Sequence, residues 1–148
     1  MQQALRTALC DAAARGVREL WWCDADFEAW PLNEPETIAT LTAWARAHRR
    51  LTVCARSFDG VLRRHPRWVV WRRTWSHVVA CRAIECTEQE LLPTLLLAPP
   101  AWLLRVDGVQ QPRGEWTANP AAQADVRRLI DAYLQRSVPA MPPTTLGL

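Results

Sequence analysis

One segment of the chain combines positive charge with aromatic side chains, a pairing typical of nucleic-acid-binding proteins. Between Arg46 and Arg82 the sequence has ten arginines and one acidic residue, Asp59, which gives this segment a formal charge of +9. Guanidinium groups bind phosphates, and aromatic rings can stack on bases. We therefore expect a phosphate-bearing partner such as nucleic acid to be held by Arg56, Arg63, Arg64, Arg67, Arg72, Arg73 and Trp68.

The arginine-rich segment has two further interpretations. Its arginines can form a solvated face, or they can pair with the acidic remainder of the chain, within the fold or across a dimer. The segment can also be an interface for a partner protein. Trp68, Trp71 and Trp75 share one face of a predicted helix, and such a stripe is more often core than a stacking surface.

Asp24 and Asp26 are the candidates for enzymatic chemistry. They follow the apolar run 17–23, at the kind of strand end where open parallel sheets bind ligands. A strand followed by Asp-x-Asp resembles the start of the haloacid dehalogenase phosphotransferases, which implies an aspartate nucleophile beside a magnesium ion. The alternative function is a metal-dependent phosphohydrolase that uses Asp24 and Asp26, with Asp59 completing the site. The competing interpretation is that both aspartates bond the backbone amides of a turn.

Composition disfavours several other kinds of site. The 18 basic residues other than histidine are all arginines, so P-loop phosphate binding by lysine and Schiff-base chemistry lack their side chain. The five cysteines form no CxxC pair and the three histidines are not closely spaced, so no metal site and no cofactor are expected. The cysteines are predicted to be reduced thiols of a cytoplasmic protein, and no apolar stretch is long enough to predict a membrane span.

The predicted elements alternate between strand and helix in the first half of the chain. Helical periodicity covers residues 2–15 and ends at Gly16, and Asn33 is predicted to cap the second helix. A last helix is predicted to begin at Pro120 with Asn119 as its cap. Strands are predicted over residues 17–23, 51–55, 78–84, 95–98 and 102–106.

This order of elements predicts one α/β domain over residues 1–136, followed by a Pro-rich flexible tail over 137–148. The domain is expected to contain a mixed, largely parallel sheet of about five to seven strands, flanked by helices.

The second half of the chain resembles the phospholipase D superfamily. PAWLLRVDG at 100–108 and WTAN at 116–119 are similar to that family's H-x-K-x-x-x-x-D-G strand and G-S-x-N turn. The family's motif positions fall on Pro100, Trp102, Asp107, Thr117 and Asn119. The chain also resembles an uncharacterised proteobacterial family of small phospholipase D-like domains that lack the motif. Two segments carry this resemblance, DADFEAWPLNEPETIATLTAWARAH and HPRWVVWRRTWSHVVACRAIE.

The resemblance implies a degenerate phospholipase D-like half without catalytic activity. Pro100 and Trp102 stand where active members have the histidine nucleophile and the phosphate-binding lysine. Active members combine two halves, so the resemblance also implies a homodimer. Asp107 and Asn119 are expected to persist for structure, as a turn residue and a helix cap.

The leading hypothesis from the sequence is therefore a non-catalytic interaction or ligand-binding domain. It is expected to be cytoplasmic and homodimeric and to bind a phosphate-bearing partner through the arginine-rich segment. A purely structural role within a larger assembly is a further alternative.

Overall fold

The helices and strands follow the apolar pattern of the sequence closely in the computed structural model, which describes residues 1–46, 48–108 and 113–142. The helices are α1 Gln2–Arg15, α2 Pro35–Trp44, α3 Asp59–Arg64, α4 Pro66–Thr74 and α5 Pro120–Gln135. The strands are β1 Glu19–Cys23, β2 Arg50–Ala55, β3 Val79–Ile84, β4 Thr94–Ala98, β5 Trp102–Asp107, β6 Arg113–Thr117 and β7 Ser137–Pro139. Over the described ranges, every helix is too short or too polar to cross a membrane.

The strands form a single mixed sheet in the order β6-β5-β4-β1-β2-β3-β7. Strand β2 pairs in parallel with both β1 and β3, and the other four pairings are antiparallel. The predicted class, a mixed α/β sheet flanked by helices, is confirmed, but the expectation of a largely parallel sheet is wrong. Parallel neighbours need a long crossover, and the connections from β4 to β5 and from β5 to β6 are too short to provide one.

The chain after α5 does not leave the domain at once. Ser137–Pro139 pair with β3, and the Arg82 guanidinium donates to Oγ and to the carbonyl oxygen of Ser137, both at 3.0 Å. The Ala140 amide then donates to the carbonyl of Cys81 at 2.9 Å. The predicted flexible tail over 137–148 is therefore corrected: its first residues complete the sheet, while residues 143–148 lie outside the described part.

Helices cover both faces of the sheet over separate apolar clusters. One cluster combines residues of α1, α2, α3 and α4 with Leu20 and Trp22 of β1. The other lies beneath α5 and includes Cys23, Val126 and Ile130. Successive residues of β1 thus enter opposite cores, as the pleat of a strand requires.

Four aromatic rings form the centre of the first cluster. Trp22, Phe27, Trp30 and Trp68 are at most 1% exposed. The ring centroids of Trp22 lie 5.3 Å from Trp30 and 6.2 Å from Trp68, and Phe27 lies 4.7 Å from Trp30. This aromatic cluster packs β1, the loop that follows it and α4 against one another.

The observed helix ends confirm two of the ends predicted from the sequence and contradict a third. Gly16 ends α1 with φ of 63°, a conformation that costs glycine little, and the side chain of Asn119 accepts a bond from the Ala121 amide at 2.8 Å. The predicted cap by Asn33 is wrong. Helix α2 begins at Pro35 after Glu34, and the Asn33 side chain instead accepts a bond from the Arg67 amide at 3.0 Å.

We expect Trp68→Ala to lower the free energy of unfolding by about 3–5 kcal/mol, because the truncation leaves a large cavity inside the aromatic cluster. The measurement is urea unfolding followed by circular dichroism. Trp116→Ala is the control, since this tryptophan is 43% exposed on β6 and packs edge-on against Trp102. Equal losses for the two variants would contradict the central position of Trp68.

We expect Asn119→Ala to lower the free energy of unfolding by about 1 kcal/mol, because the Ala121 amide in the first turn of α5 loses its acceptor. Asn119→Asp keeps that acceptor and should retain the stability, which the same urea titration measures. If Asn119→Asp were as unstable as Asn119→Ala, the cap would not account for the role of this residue.

Candidate nucleic-acid interface

The structure distributes the six arginines of the predicted binding set over separate places. Arg56, Arg72 and Arg73 line one cavity beside the carboxyl ends of β2 and β3. Arg56 is held there by bonds from its guanidinium to the Cys86 sulfur, at 3.3 Å, and to the backbone carbonyl of Glu90. These three residues are the part of the predicted set that comes together.

The other three arginines contact different protein groups. Arg63 and Arg64, at the end of α3, lie 3.2 Å and 3.7 Å from Oε1 of Glu28. Arg67, in the first turn of α4, donates to the backbone carbonyl of Asn33 at 3.0 Å. These contacts connect α3 and α4 to the loop between β1 and α2.

The tryptophans of α4 belong to the core. Trp68 has no exposed surface, and Trp71 is 4% exposed and donates to Oγ1 of Thr42 at 3.2 Å. A base therefore cannot stack on Trp68, the aromatic member of the predicted binding set.

Asp24 and Asp26 support the turn after β1. Oδ2 of Asp24 accepts bonds from the amides of Phe27 and Asp26 at 2.7 and 3.2 Å, and Asp24 also accepts a bond from the Thr94 hydroxyl. Oδ1 of Asp26 accepts from the Glu28 amide at 3.0 Å. In the described part of the chain, no three His, Cys, Asp or Glu side chains approach closely enough to hold a metal ion. The structure therefore does not assemble Asp24, Asp26 and Asp59 into a magnesium site.

The positions that correspond to the phospholipase D motif do not share one end of the sheet. Four of these positions lie at one end of the sheet, near the start of β5 and the end of β6: Pro100, Trp102, Thr117 and Asn119. Asp107 lies at the opposite end of β5. The Trp102 indole donates to Asp11 at 2.6 Å, and the Asn119 amide donates to the Thr117 hydroxyl at 3.1 Å, so these side chains bond to their own fold.

The thiols in the sheet are poor nucleophiles. Burial raises the pKa of Cys54 to about 12 and that of Cys81 to about 11, although the neighbouring Arg72 guanidinium acts against the increase at Cys81. Burial likewise raises the pKa of Cys23 far above its usual range. At neutral pH these cysteines are therefore protonated.

A cluster of basic side chains at the amino ends of β1, β2 and β3 surrounds a depression of about 360 Å³. We call this surface the basic edge. Its basic members are Arg18, Arg46, His48, Arg49, Arg50 and His77. Glu19 is the acidic residue of the depression, and its carboxylate lies 3.6 Å from the Arg127 guanidinium.

The parallel pairing of the strands assembles the basic edge. Glu19 of β1 lies opposite Arg50 of β2, and the Arg50 amide donates to the carbonyl of Arg18 at 2.9 Å. The Leu51 amide donates to the carbonyl of Val78 at 2.9 Å. This bond places His77, the residue before Val78, at the same edge. Three consecutive parallel strands therefore present their preceding basic residues together.

The arginines of the basic edge keep their charge uncompensated. In the described ranges, Arg18, Arg46, Arg49 and Arg50 have no carboxylate within 4 Å. Arg49 is fixed by a bond of 2.5 Å to the carbonyl of Gly16, whereas the other three are exposed.

Sequence reasoning missed the basic edge because Arg18 lies outside the arginine-rich segment. The signal that could have revealed the basic edge is the position of basic residues relative to the strands. A basic residue stands one or two positions before each of the first three strands, and parallel strands bring these positions to one edge.

The comparisons with known proteins show a similarity of fold only. No family model matches the chain, and no curated protein sequence matches it. Among solved structures, the chain is similar to TrmBL2, an archaeal chromatin protein whose structure shows a novel mode of DNA binding. The TM-score is 0.63 at 9% sequence identity, over 92% of this chain and 51% of that one. The chain thus spans about half the length of TrmBL2, and the likeness is one of fold.

Proposed function

We propose that this domain is a non-catalytic module that binds the phosphate backbone of a nucleic acid through the basic edge. The observation that carries the proposal is the grouping of four arginines and two histidines around one depression with one acidic residue, which Arg127 approaches. Such a surface attracts polyanions, because the positive charges add where no carboxylate neutralises them.

The exposure of the arginines suits a chain of phosphates better than a single ion. Arg18, Arg46 and Arg50 have exposed side chains on an open depression, so they can reach successive phosphates along a strand. Arg49 is held by the Gly16 carbonyl and provides a fixed charge in the same depression.

The burial of the α4 tryptophans bears on the mode of recognition. Trp68 is buried, and the residues that line the basic edge in the described part of the chain include no Trp, Tyr or Phe, so this surface offers mainly contacts to phosphates. Phosphate contacts fix the position of a protein on nucleic acid without reading the base sequence. We therefore expect similar affinities for different sequences of equal length.

The similarity of fold to TrmBL2 supports the proposal independently of the arrangement of the arginines. TrmBL2 is a chromatin protein that binds DNA, and its fold is similar over 92% of the present chain. The homodimer expected from the phospholipase D resemblance stays a prediction.

We expect the double variant Arg46→Gln/Arg50→Gln to weaken binding to all duplex sequences alike. Each lost phosphate contact lowers the slope of log affinity against log salt by about 0.9, so the slope should fall by about 1.8. Fluorescence anisotropy of labelled duplexes, titrated at several salt concentrations, measures both quantities.

Arg63→Gln/Arg64→Gln is the matched control, because it removes the same charge from two arginines of α3 that contact Glu28 and lie outside the basic edge. This variant should keep the wild-type salt slope within about 0.5. An unchanged slope in Arg46→Gln/Arg50→Gln would refute the role of the basic edge. Equal decreases in both double variants would show that net charge, and not this surface, controls binding.

A further inference from the structure

Arg72 is a buried cation whose neighbour among the described residues is a weak acceptor, the Cys81 sulfur, and not a carboxylate. It lies on α4 and is 6% exposed, yet its Nε and Nη1 atoms are buried and have no hydrogen-bond partner among the described residues. No carboxylate lies within 4 Å of it in the same ranges. A guanidinium stays charged when it is buried, so this arrangement is unfavourable unless an anion approaches.

The cavity beside Arg72 has the charge for such an anion. It measures about 450 Å³ and is also lined by Arg56, Arg73 and Asp59. Three guanidinium groups and one carboxylate give a net charge of +2. A phosphate monoester carries about −1.5 to −2 at neutral pH and therefore matches this charge.

Several walls of the cavity are held in place by hydrogen bonds. Arg56 is fixed by Cys86 and by the Glu90 carbonyl, and the bond from Ala140 to Cys81 holds the segment that follows β7 against the opening. A site whose charges are already positioned loses less entropy when a ligand binds.

Apolar side chains line the remainder of the cavity. Leu62 of α3, Val69 of α4 and Met141 after β7 provide a surface for the organic part of a ligand. The volume lies within the range of small-molecule sites, about 300–1,000 Å³. An inorganic ion alone would leave this apolar surface unused.

We propose that this cavity binds a small organic phosphate monoester, with Arg72 as the buried anchor and Arg56 and Arg73 as further ligands of the phosphate. The site is separate from the basic edge. The two lie at opposite ends of the parallel strands, about 17 Å apart for strands of this length.

The test is thermal unfolding of the full chain in phenyl phosphate, whose ring and phosphate represent the two parts of the proposed ligand. At about ten times its Kd, phenyl phosphate should raise the Tm of the wild type by about 3–6 °C. Arg72→Met should abolish this increase. Arg73→Gln should reduce it, and because Arg73 is exposed, this variant decides the question even if Arg72→Met fails to fold.

The control variant is Arg64→Gln, which removes one exposed arginine outside the cavity and should keep the full increase in Tm. Arg46→Gln/Arg50→Gln should also keep it, whatever that variant does to nucleic-acid binding. The proposal is overturned if phenyl phosphate leaves the wild-type Tm unchanged, or if Arg73→Gln responds as fully as Arg64→Gln does. It is also overturned if benzoate raises the Tm equally, since a carboxylate would then suffice.

Discussion

The arrangement of the arginines on α4 depends on the contact between the buried rings of Trp68 and Trp22. The two rings lie 6.2 Å apart inside the aromatic cluster, and this contact sets the rotation of α4 about its axis. Arg72 is one turn after Trp68 and therefore faces the same way, into the protein, whereas Arg67 and Arg73 face outward. A buried arginine in α4 is thus a consequence of packing a tryptophan, and this arginine lines the cavity at the carboxyl ends of β2 and β3.

The parallel pairing of β1, β2 and β3 has a comparable effect at the other end of the sheet. Parallel strands place their amino ends at one edge, so residues that are distant in sequence, such as Arg18 and His77, become neighbours. Between Arg46 and Arg82, only Arg63 and Arg64 lie within 4 Å of a carboxylate in the described part of the chain. Many of the other arginines donate to neutral acceptors, as Arg49 does to the Gly16 carbonyl and Arg82 to Ser137. Neutral acceptors hold a guanidinium in place without cancelling its charge, which is why the surface stays basic.

Local sequence signals predicted what local interactions determine. Gly16 ends α1 and Asn119 caps α5 because each effect involves only the adjacent turn. Strands β6 and β7 escaped prediction because their residues are mostly exposed and their pairing partners, β5 and β3, decide their conformation. Asn33 has the right residue type for a helix cap, but a tertiary bond to the Arg67 amide competes for its side chain. The division of the arginines between two ends of the sheet depends on strand order, which no single stretch of sequence encodes.

The use of arginine and not lysine throughout the chain has different consequences at the two proposed sites. On the exposed basic edge, either side chain would be charged at neutral pH and would attract phosphates. At 6% exposure, burial would favour the neutral form of a lysine at position 72, whereas guanidinium groups in general stay charged when they are buried. Its planar arrangement of donors also suits the oxygens of a phosphate, which a single ammonium group contacts only as a point charge. A lysine at position 72 would therefore relieve the unfavourable buried charge by losing a proton, whereas an arginine needs acceptors or an anionic partner to offset it.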